Sequence, residues 1–412
     1  MRILFISQWF APEPFFKGLP FARALRDRGH EVEVLTGFPN YPGGRLHPGY
    51  RIRPYQCEIM DGIPVHRVPL YPSHDQSAIR RIANYASFAL SAATIGPAVV
   101  RKADVAYVYH PPATVAMPAV ALRILRGIPF VYDIQDLWPD TLAATGMLRN
   151  RLALRLVGGW CRATYRLAAR IVVLSPGFKR MLVSRGVPAE KIEVIYNWCD
   201  ESGDRDAGPN SDLPQRLGVA GRFTIVFAGT MGKAQGLDAV LDAAQRLRDE
   251  LPEVQFVLVG GGVEVERLRA VADQMALRNV RFVPRVPMAE IGKILALADA
   301  LLVHLVDDPL FTITVPSKTQ AYLAAGRPIL MGVKGDAADL VRKADAGICF
   351  QPEDPGDLCR AVKSLYALSP ADRQRLGENG RTFYQRDLSM SQGVTHFEHV
   401  FVGLLTRLAG TS

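Results

Sequence analysis

The chain has 412 residues, more than one ordinary domain of ~100–200 residues holds, so two domains are expected. Residues of the set AVILMFWYC make up 49% and charged residues 22%, a globular composition that excludes a disordered or fibrous chain. The net charge of +9 is segregated: residues 1–200 hold 25 Lys/Arg against 14 Asp/Glu, and residues 201–412 hold 24 against 26. A basic half beside a near-neutral half points to an anionic partner, whether nucleic acid, acidic lipid or a phosphorylated substrate.

The chain opens with an apolar run over residues 1–6, too short for a signal peptide and followed by Gln8, Pro12, Glu13 and Pro14. It reads as a buried first strand over residues 3–7. A helix over 19–27 follows, ended by Arg28-Gly29-His30, and then a strand over 31–36. Strand-like runs continue at 65–69, 105–109, 130–133 and 171–174. Two uncharged stretches, 82–100 and 105–122, approach the ~20 residues a membrane span needs. Asn84, Gly96 and Pro97 interrupt the first, and His110, Pro111, Pro112 and Pro118 the second, so neither reads as a span. Residues 200–214, rich in Asp, Gly, Pro and Ser, read as a linker. Beyond it, strands are predicted at 223–228, 255–259, 280–283, 300–305, 328–331 and 347–350. Helices are predicted at 237–250, 263–276, 288–296 and 317–325, with a closing helical stretch in 380–408. The expected fold class is α/β: two doubly wound, Rossmann-like parallel sheets facing across a cleft. Ligands of such sheets bind at loops leading from strands into helix N-termini.

Those loops hold the candidate residues. Gly229, Gly232 and Lys233 form a glycine-rich turn after a strand, where amides and a cation suit a diphosphate. Gly260, Gly261 and Gly262 follow the next strand, but Val265 breaks the pattern G-x-G-x-x-G, which disfavours NAD. In the first half, Gly18 could let a phosphate approach the backbone with Lys17 supplying charge, or it could be an ordinary strand–helix turn. His110 ends a strand and could orient a hydroxyl; a structural histidine is the plainer reading. Asp133 and Asp136 follow another strand, with Asp136 the stronger candidate for binding a hydroxyl or taking a proton. Alternatively, Asp136 or Asp140 caps the helix starting near Pro139. Trp138 offers a flat apolar face for a ligand or for core packing. Ser317, read as an N-cap, with Lys318 and Gln320 places donors at an anion.

Five scattered cysteines (Cys57, Cys161, Cys199, Cys349, Cys359) without a Cys-x-x-Cys pair argue against a disulfide framework or zinc cluster, and fit a reducing cytosol. The one Asp-x-Asp, Asp204 and Asp206, lies in the linker, so no metal or other cofactor is expected. Arg151, Arg155, Arg162 and Arg166 fall in a helical wedge of roughly 60°, beside Leu152, Leu156, Trp160, Ala163 and Leu167. With Arg80, Arg81, Arg101 and Lys102 they suit an anionic membrane surface or a lipid-linked pyrophosphate; a solvated helix face is the alternative. No zinc knuckle, RNA-binding aromatic motif or helix-turn-helix spacing supports nucleic acid as partner.

Several stretches in order carry a resemblance. They are Arg28-Gly29-His30-Glu31-Val32, Phe38-Pro39-Asn40-Tyr41-Pro42, Asp136-Leu137-Trp138-Pro139-Asp140 and Val173-Leu174-Ser175-Pro176-Gly177. Residues 229–237 and 259–262, Pro316-Ser317-Lys318 and Ala324-Ala325-Gly326-Arg327-Pro328 continue the series. Together the chain resembles glycosyltransferases of the two-Rossmann-domain GT-B type, retaining family 4. It looks most like the subgroup that builds bacterial surface polysaccharides, of N-acetylfucosamine or colanic-acid type. The resemblance implies an acceptor domain over 1–200, a nucleotide-sugar domain over 201–385, and a C-terminal helix over 386–412 crossing back to the first domain. It implies a UDP- or GDP-sugar donor and an undecaprenyl-pyrophosphate-linked or other lipid-linked saccharide acceptor, at the cytoplasmic face of the membrane. It places His110 facing the reacting sugars. Joined to the loop readings above, it leaves His110 and Asp136 as the catalytic candidates and Gly18, Lys17, Gly229, Thr230, Gly232, Lys233, Gln235, Gly260, Gly261, Ser317, Lys318 and Gln320 as the candidate donor contacts. The family's usual Arg and Lys stand as Thr230 and Gln235 here, and its glutamate pair as Ile313 and Ala321. These departures keep two alternatives open: an epimerase or hydrolase on the same scaffold, and a non-catalytic assembly subunit.

Overall fold

A computed structural model describes residues 1–73, 77–144, 147–148, 150–201 and 212–409. Asp204 and Asp206, with most of the linker expected around them, lie outside the described residues. The chain divides into two compact units, Met1–Tyr196 with Gly393–Ser412, and Asn197–Gln392.

The first unit is built on eight strands: β1 (Arg2–Ile6), β2 (Glu31–Gly37), β3 (Gln56–Met60), β4 (Ile63–Val68), β5 (Val105–His110), β6 (Phe130–Ile134), β7 (Arg170–Val173) and β8 (Ile192–Val194). Their order is β3-β4-β2-β1-β5-β6-β7-β8. Strands β5 and β6 are buried at every residue, as expected where helices cover both faces of a sheet. Pairing is parallel except at one edge, where β3 runs antiparallel to β4. The parallel-only expectation therefore misses a hairpin, which turns on Asp61 and Gly62, both at positive φ. Asp-Gly between short alternating runs is the sequence signal for such a turn.

Four helices matter for the site: α1 (Leu19–Asp27), α2 (Ala78–Val99), α3 (Ala116–Arg126) and α4 (Arg151–Leu167). In α1, Phe21, Ala22 and Leu25 are buried. Phe21 meets the rings of Phe5, Tyr107 and Phe397 at centroid distances of 5.2, 5.3 and 5.0 Å. Phe397 belongs to the helix Met390–Ala409, whose Glu398 accepts from Arg28 (3.1 Å) and lies 2.8 Å from His30 Nε2. Helices α2, α3 and α4 form a continuous layer on one side of the sheet, α3 touching both neighbours. Among the described residues no helix is long and apolar enough to cross a membrane.

The second unit is a six-stranded, all-parallel sheet: β9 (Phe223–Thr230), β10 (Val254–Gly261), β11 (Val280–Val283), β12 (Ala300–His304), β13 (Ile329–Gly332) and β14 (Gly347–Cys349), in the order β11-β10-β9-β12-β13-β14. Its helices include α5 (Asp238–Glu250) and α6 (Ser317–Ala325). The chain reverses direction across the sheet between β1 and β5 in the first unit and between β9 and β12 in the second. At such switch points the loops leaving the strands' carboxyl ends diverge and open a crevice. That geometry selects the loops after β1, β5, β6, β9 and β12 for chemistry.

Candidate active site

In the first unit the loop after β1 is tied down by a buried carboxylate. Glu13 accepts the amides of Phe10, Asn40 and Tyr41 at 2.8, 2.8 and 2.7 Å. Burial raises its pKa, partly offset by those three amides. The loop presents Phe15, stacked 2° from parallel on the buried Trp9 with centroids 5.4 Å apart; Tyr41, partly exposed like Phe15, is 5.3 Å from the Trp9 ring and 5.2 Å from the Phe15 ring. Sequence reasoning missed this aromatic group, whose parts lie 26 to 32 residues from Tyr41 along the chain. Flat apolar faces of this kind suit the C–H faces of a saccharide.

Lys17 corrects an expectation. Its ammonium is buried and paired with Asp133 at 2.8 Å, and it lies 5.0 Å from the Phe397 ring. Asp133 is fully buried and also accepts from Tyr107 Oη (2.7 Å) and Gln135 Nε2 (2.6 Å). A lysine held this way fastens the loop to β5 and β6 and has no charge to lend a phosphate. Gly18 is buried at an ordinary negative φ, and a Cβ there would meet the Phe15 carbonyl at 3.0 Å. It serves the turn into α1, the plainer of the two readings.

His110 ends β5 and is 2% exposed, with its ring edge-on to Tyr132 (5.6 Å) and Trp138 (5.7 Å). Its Nδ1 has no hydrogen-bond partner among the described residues. Burial holds its pKa down to about 3, so the imidazole is neutral at physiological pH. Trp138 is 9% exposed and packs on His110 and, at 6.3 Å, on Tyr85. Asp136 differs from Asp133. It is partly exposed, its carboxylate shows no hydrogen bond or ion pair among the described residues, and burial alone raises its pKa. Its charge acts on Tyr85 and Tyr109. The capping alternative fails for it, because the next helix begins at Asp140, which instead pairs with Arg185 at 2.7 Å.

In the second unit, β9 runs out into an exposed turn at Gly229 and Thr230. This end of β9 packs on the glycines that close β10: a Cβ on Gly260, at φ +141°, would lie 1.9 Å from the Gly229 carbonyl oxygen. Replacing Gly260 by alanine is expected to destabilise this unit by about 1–3 kcal/mol, read by denaturant unfolding, since both φ and space exclude a side chain. Lys233 is exposed beside the turn. Gln235 folds back so that its Oε1 accepts the Gly232 amide at 2.9 Å. Arg285, in the loop after β11, lays its guanidinium along Gly261, 2.9 Å from where a Cβ would stand. This exposed cation went unnoticed because only the fold brings it to the glycines.

His304, also missed, ends β12 fully buried. Its Nδ1 donates to the Gln235 carbonyl (2.7 Å), while its Nε2 accepts from the Glu353 amide (3.1 Å). Both bonds together require the neutral ring, and burial lowers its pKa accordingly. His110 and His304 are neutral when folded and take protons when unfolded. Stability is therefore full above the ordinary histidine value near 6.5 and declines as pH falls below it.

The α6 residues fall into two kinds. Ser317 is the first helical residue rather than the cap; Pro316 holds the cap position and makes no side-chain bond. Gln320 is 1% exposed, its amide against the carbonyls of Pro316 (3.0 Å) and Ser317 (3.1 Å), so it faces its own helix turn and no ligand. Lys318 has its Nζ shut off from solvent, 3.6 Å from the centroid of the Phe227 ring.

The arginines predicted to meet an anionic surface do face solvent. Arg151, Arg155, Arg162 and Arg166 are exposed on α4, and Arg80 is exposed on α2, while Arg81 is half-buried. The leucines expected on the neighbouring face are also exposed, Leu152 at 65% and Leu156 at 67%. The helix buries Gly158, Cys161, Thr164 and Tyr165 instead.

These features meet in a known class of enzyme. Residues 19–198 match the glycosyl transferase 4-like domain, and residues 211–383 match glycosyl transferases group 1. The chain belongs to the glycosyltransferases of the GT-B fold that combine these two halves. "Probable glycosyltransferase WbjE" of Pseudomonas aeruginosa is 28% identical over 296 residues, covering 70% of this chain and 72% of the relative. WcaI of Escherichia coli K12, whose name places it in colanic acid biosynthesis, is 29% identical over 291 residues, 68% of this chain and 70% of the relative. Among solved structures, Anabaena HepE in complex with UDP and glucose superposes with a TM-score of 0.69 at 18% identity, covering 98% of this chain and 99% of that one. WaaG, a glycosyltransferase of lipopolysaccharide biosynthesis, gives 0.65 at 17%, covering 98% and 100%.

Proposed function

We propose that this glycosyltransferase moves a sugar, with its anomeric configuration retained, from a UDP- or GDP-sugar to a lipid-linked saccharide of a bacterial surface polysaccharide. The observation that carries the donor assignment is the exposed Gly229–Thr230 turn, seated on Gly260 and flanked by the cations Lys233 and Arg285. Backbone amides and fixed positive charge at that turn stabilise a leaving diphosphate without calling on a divalent metal. Names among the relatives agree with such donors: a GDP-mannose-dependent mannosyltransferase of Mycolicibacterium smegmatis is 26% identical over 295 residues, and HepE is held with UDP.

The acceptor is assigned to the first unit. Asp136 accepts the hydrogen bond of the attacking hydroxyl, and the partly exposed rings of Phe15 and Tyr41, backed by the buried Trp9, carry the saccharide. The hydroxyl attacks the anomeric carbon from the face the diphosphate leaves; the C–O bond to phosphate breaks and a diphosphate oxygen takes the proton. Such a reaction rests on positioning and electrostatics rather than a strong base. Incubating the full chain with UDP- and GDP-sugars and a lipid-linked acceptor extract tests it. Sugar appearing on lipid supports the reading, whereas turnover of the donor without acceptor would assign the protein to epimerases or hydrolases.

The lipid acceptor also explains the outer face of the helical layer. Ile79 and Ile82 beside Arg80 on α2, and Leu152 and Leu156 beside Arg151 and Arg155 on α4, mix exposed apolar side chains with cations. That combination holds a helix at an anionic bilayer surface, here the cytoplasmic face. Replacing Leu152 and Leu156 by glutamate is expected to reduce co-sedimentation with phosphatidylglycerol vesicles at least about tenfold, since two apolar anchors become repelled charges. Equal co-sedimentation would remove α4 from the interface.

A further inference from the structure

Long cationic side chains ordinarily lay their stems on the protein and keep the charged end in water. Lys318 does the reverse. The residue is partly exposed, yet its Nζ is sealed from solvent and has no hydrogen-bond partner among the described residues. Its neighbours are the face of the Phe227 ring, 3.6 Å from Nζ to the centroid, and the backbone of Gly229. A Cβ on Gly229 would stand 3.2 Å from Nζ and 3.5 Å from Cε. The amine therefore sits directly under the exposed turn to which the donor diphosphate is assigned, and a side chain at position 229 would crowd it.

Among the described residues, the groups around it supply no counter-charge. Tyr322, one helical turn along α6, bonds Ala228 through its hydroxyl. His304 on β12 is neutral, and the influence of Lys318 on it is to lower its pKa further. Lys233, in the loop after β9, is a second cation. Burial with nothing negative nearby holds the Lys318 amine down to about 7. A resting ammonium is thus easily lost, and a bound diphosphate is the one partner the reading of this site would bring.

We infer that Lys318 is a proton-coupled donor ligand: it rests as a buried amine beneath the Gly229 turn and takes a proton from solvent when a nucleotide diphosphate binds, becoming its counter-charge. This rests on the donor assignment proposed above. The balance is simple, since one proton moves from buffer to Nζ and no bond in the nucleotide changes. The sign of the pH effect follows. Below about 7 the amine is already charged, so affinity is flat. Above it, binding must import a proton, and affinity falls about tenfold per pH unit until the bound-state value is reached.

Calorimetric titration of the full chain with UDP and with GDP tests this, at about pH 8 where the free nucleotides have lost their terminal phosphate proton. Repeating each titration in buffers of different ionisation enthalpy counts the protons exchanged. The wild type is expected to take up most of one proton. Lys318→Met is expected to take up none and to bind about ten- to a hundredfold more weakly, the loss of one charge-assisted contact. Lys318→Arg, charged at every pH, is expected to bind with an affinity that no longer falls above about pH 7. Binding by the wild type without proton uptake, or undiminished uptake in Lys318→Met, overturns the inference and leaves the donor assignment standing. Failure of both nucleotides to bind overturns both. If Lys318→Met does not fold, the wild type and Lys318→Arg still decide, because one must show the pH slope and the other must not.

Discussion

Lys17→Met is expected to cost the first unit about 3–5 kcal/mol of stability, the penalty for leaving one member of a buried ion pair uncompensated. The reasoning starts from Asp133, which is fully buried between β5 and β7 on β6. Its carboxylate is tolerable there because Lys17, Tyr107 and Gln135 all donate to it. Removing the ammonium leaves a negative charge facing two neutral donors in a medium of low polarity. Out of a whole-domain stability of about 5–15 kcal/mol, that loss is large. Lys17→Met combined with Asp133→Asn should recover much of it, since the remaining amide still accepts from Tyr107 and no charge is stranded. Chemical denaturation of the single and double variants reads this directly. A single variant within about 1 kcal/mol of wild type would show that the pair is a bystander in the fold.

The same pair shows where sequence reasoning stops. Periodicity and glycine placement announce strands and the loops after them, because a buried strand needs an unbroken apolar run and a tight turn needs glycine. The Gly229 turn and the run 105–109 were legible for that reason. Pairing across 116 residues leaves no local trace, so Lys17 reads as a loop cation and only the fold reveals it as a core residue. His304 is silent for the same reason: its two partners, Gln235 and Glu353, lie 69 and 49 residues away. The hairpin strand β3 was hidden differently, since its residues Gln56, Cys57 and Glu58 lack an apolar run and only the Asp61-Gly62 turn marks it. Helix α4 was legible as amphipathic. That its leucines face solvent with its arginines was not, because helical spacing fixes which residues share a face but not which face is covered.

Asp136→Asn is expected to lower turnover about 10²- to 10³-fold while leaving the Michaelis constant for the nucleotide-sugar nearly unchanged. Asparagine keeps the shape and can still accept a hydrogen bond, so the variant removes charge and little else. The carboxylate lies partly buried with no partner of its own among the described residues, which leaves it able to take up the acceptor hydroxyl as that bond polarises. Donor contacts are assigned to the second unit, which is why the donor constant should stay still. The pH profile gives an independent readout. Burial raises the pKa of Asp136 above that of an ordinary aspartate, and the charged form is the useful one. Turnover should therefore fall as pH drops through that raised value, at a pH higher than the usual carboxylate range near 4. His110 cannot produce the same limb, since burial holds it neutral down to about 3. The acidic limb should be lost in Asp136→Asn and kept in Lys233→Ala, whose defect would instead appear in donor binding. An Asp136→Asn enzyme with full turnover and an unchanged acidic limb would take the carboxylate out of the reaction.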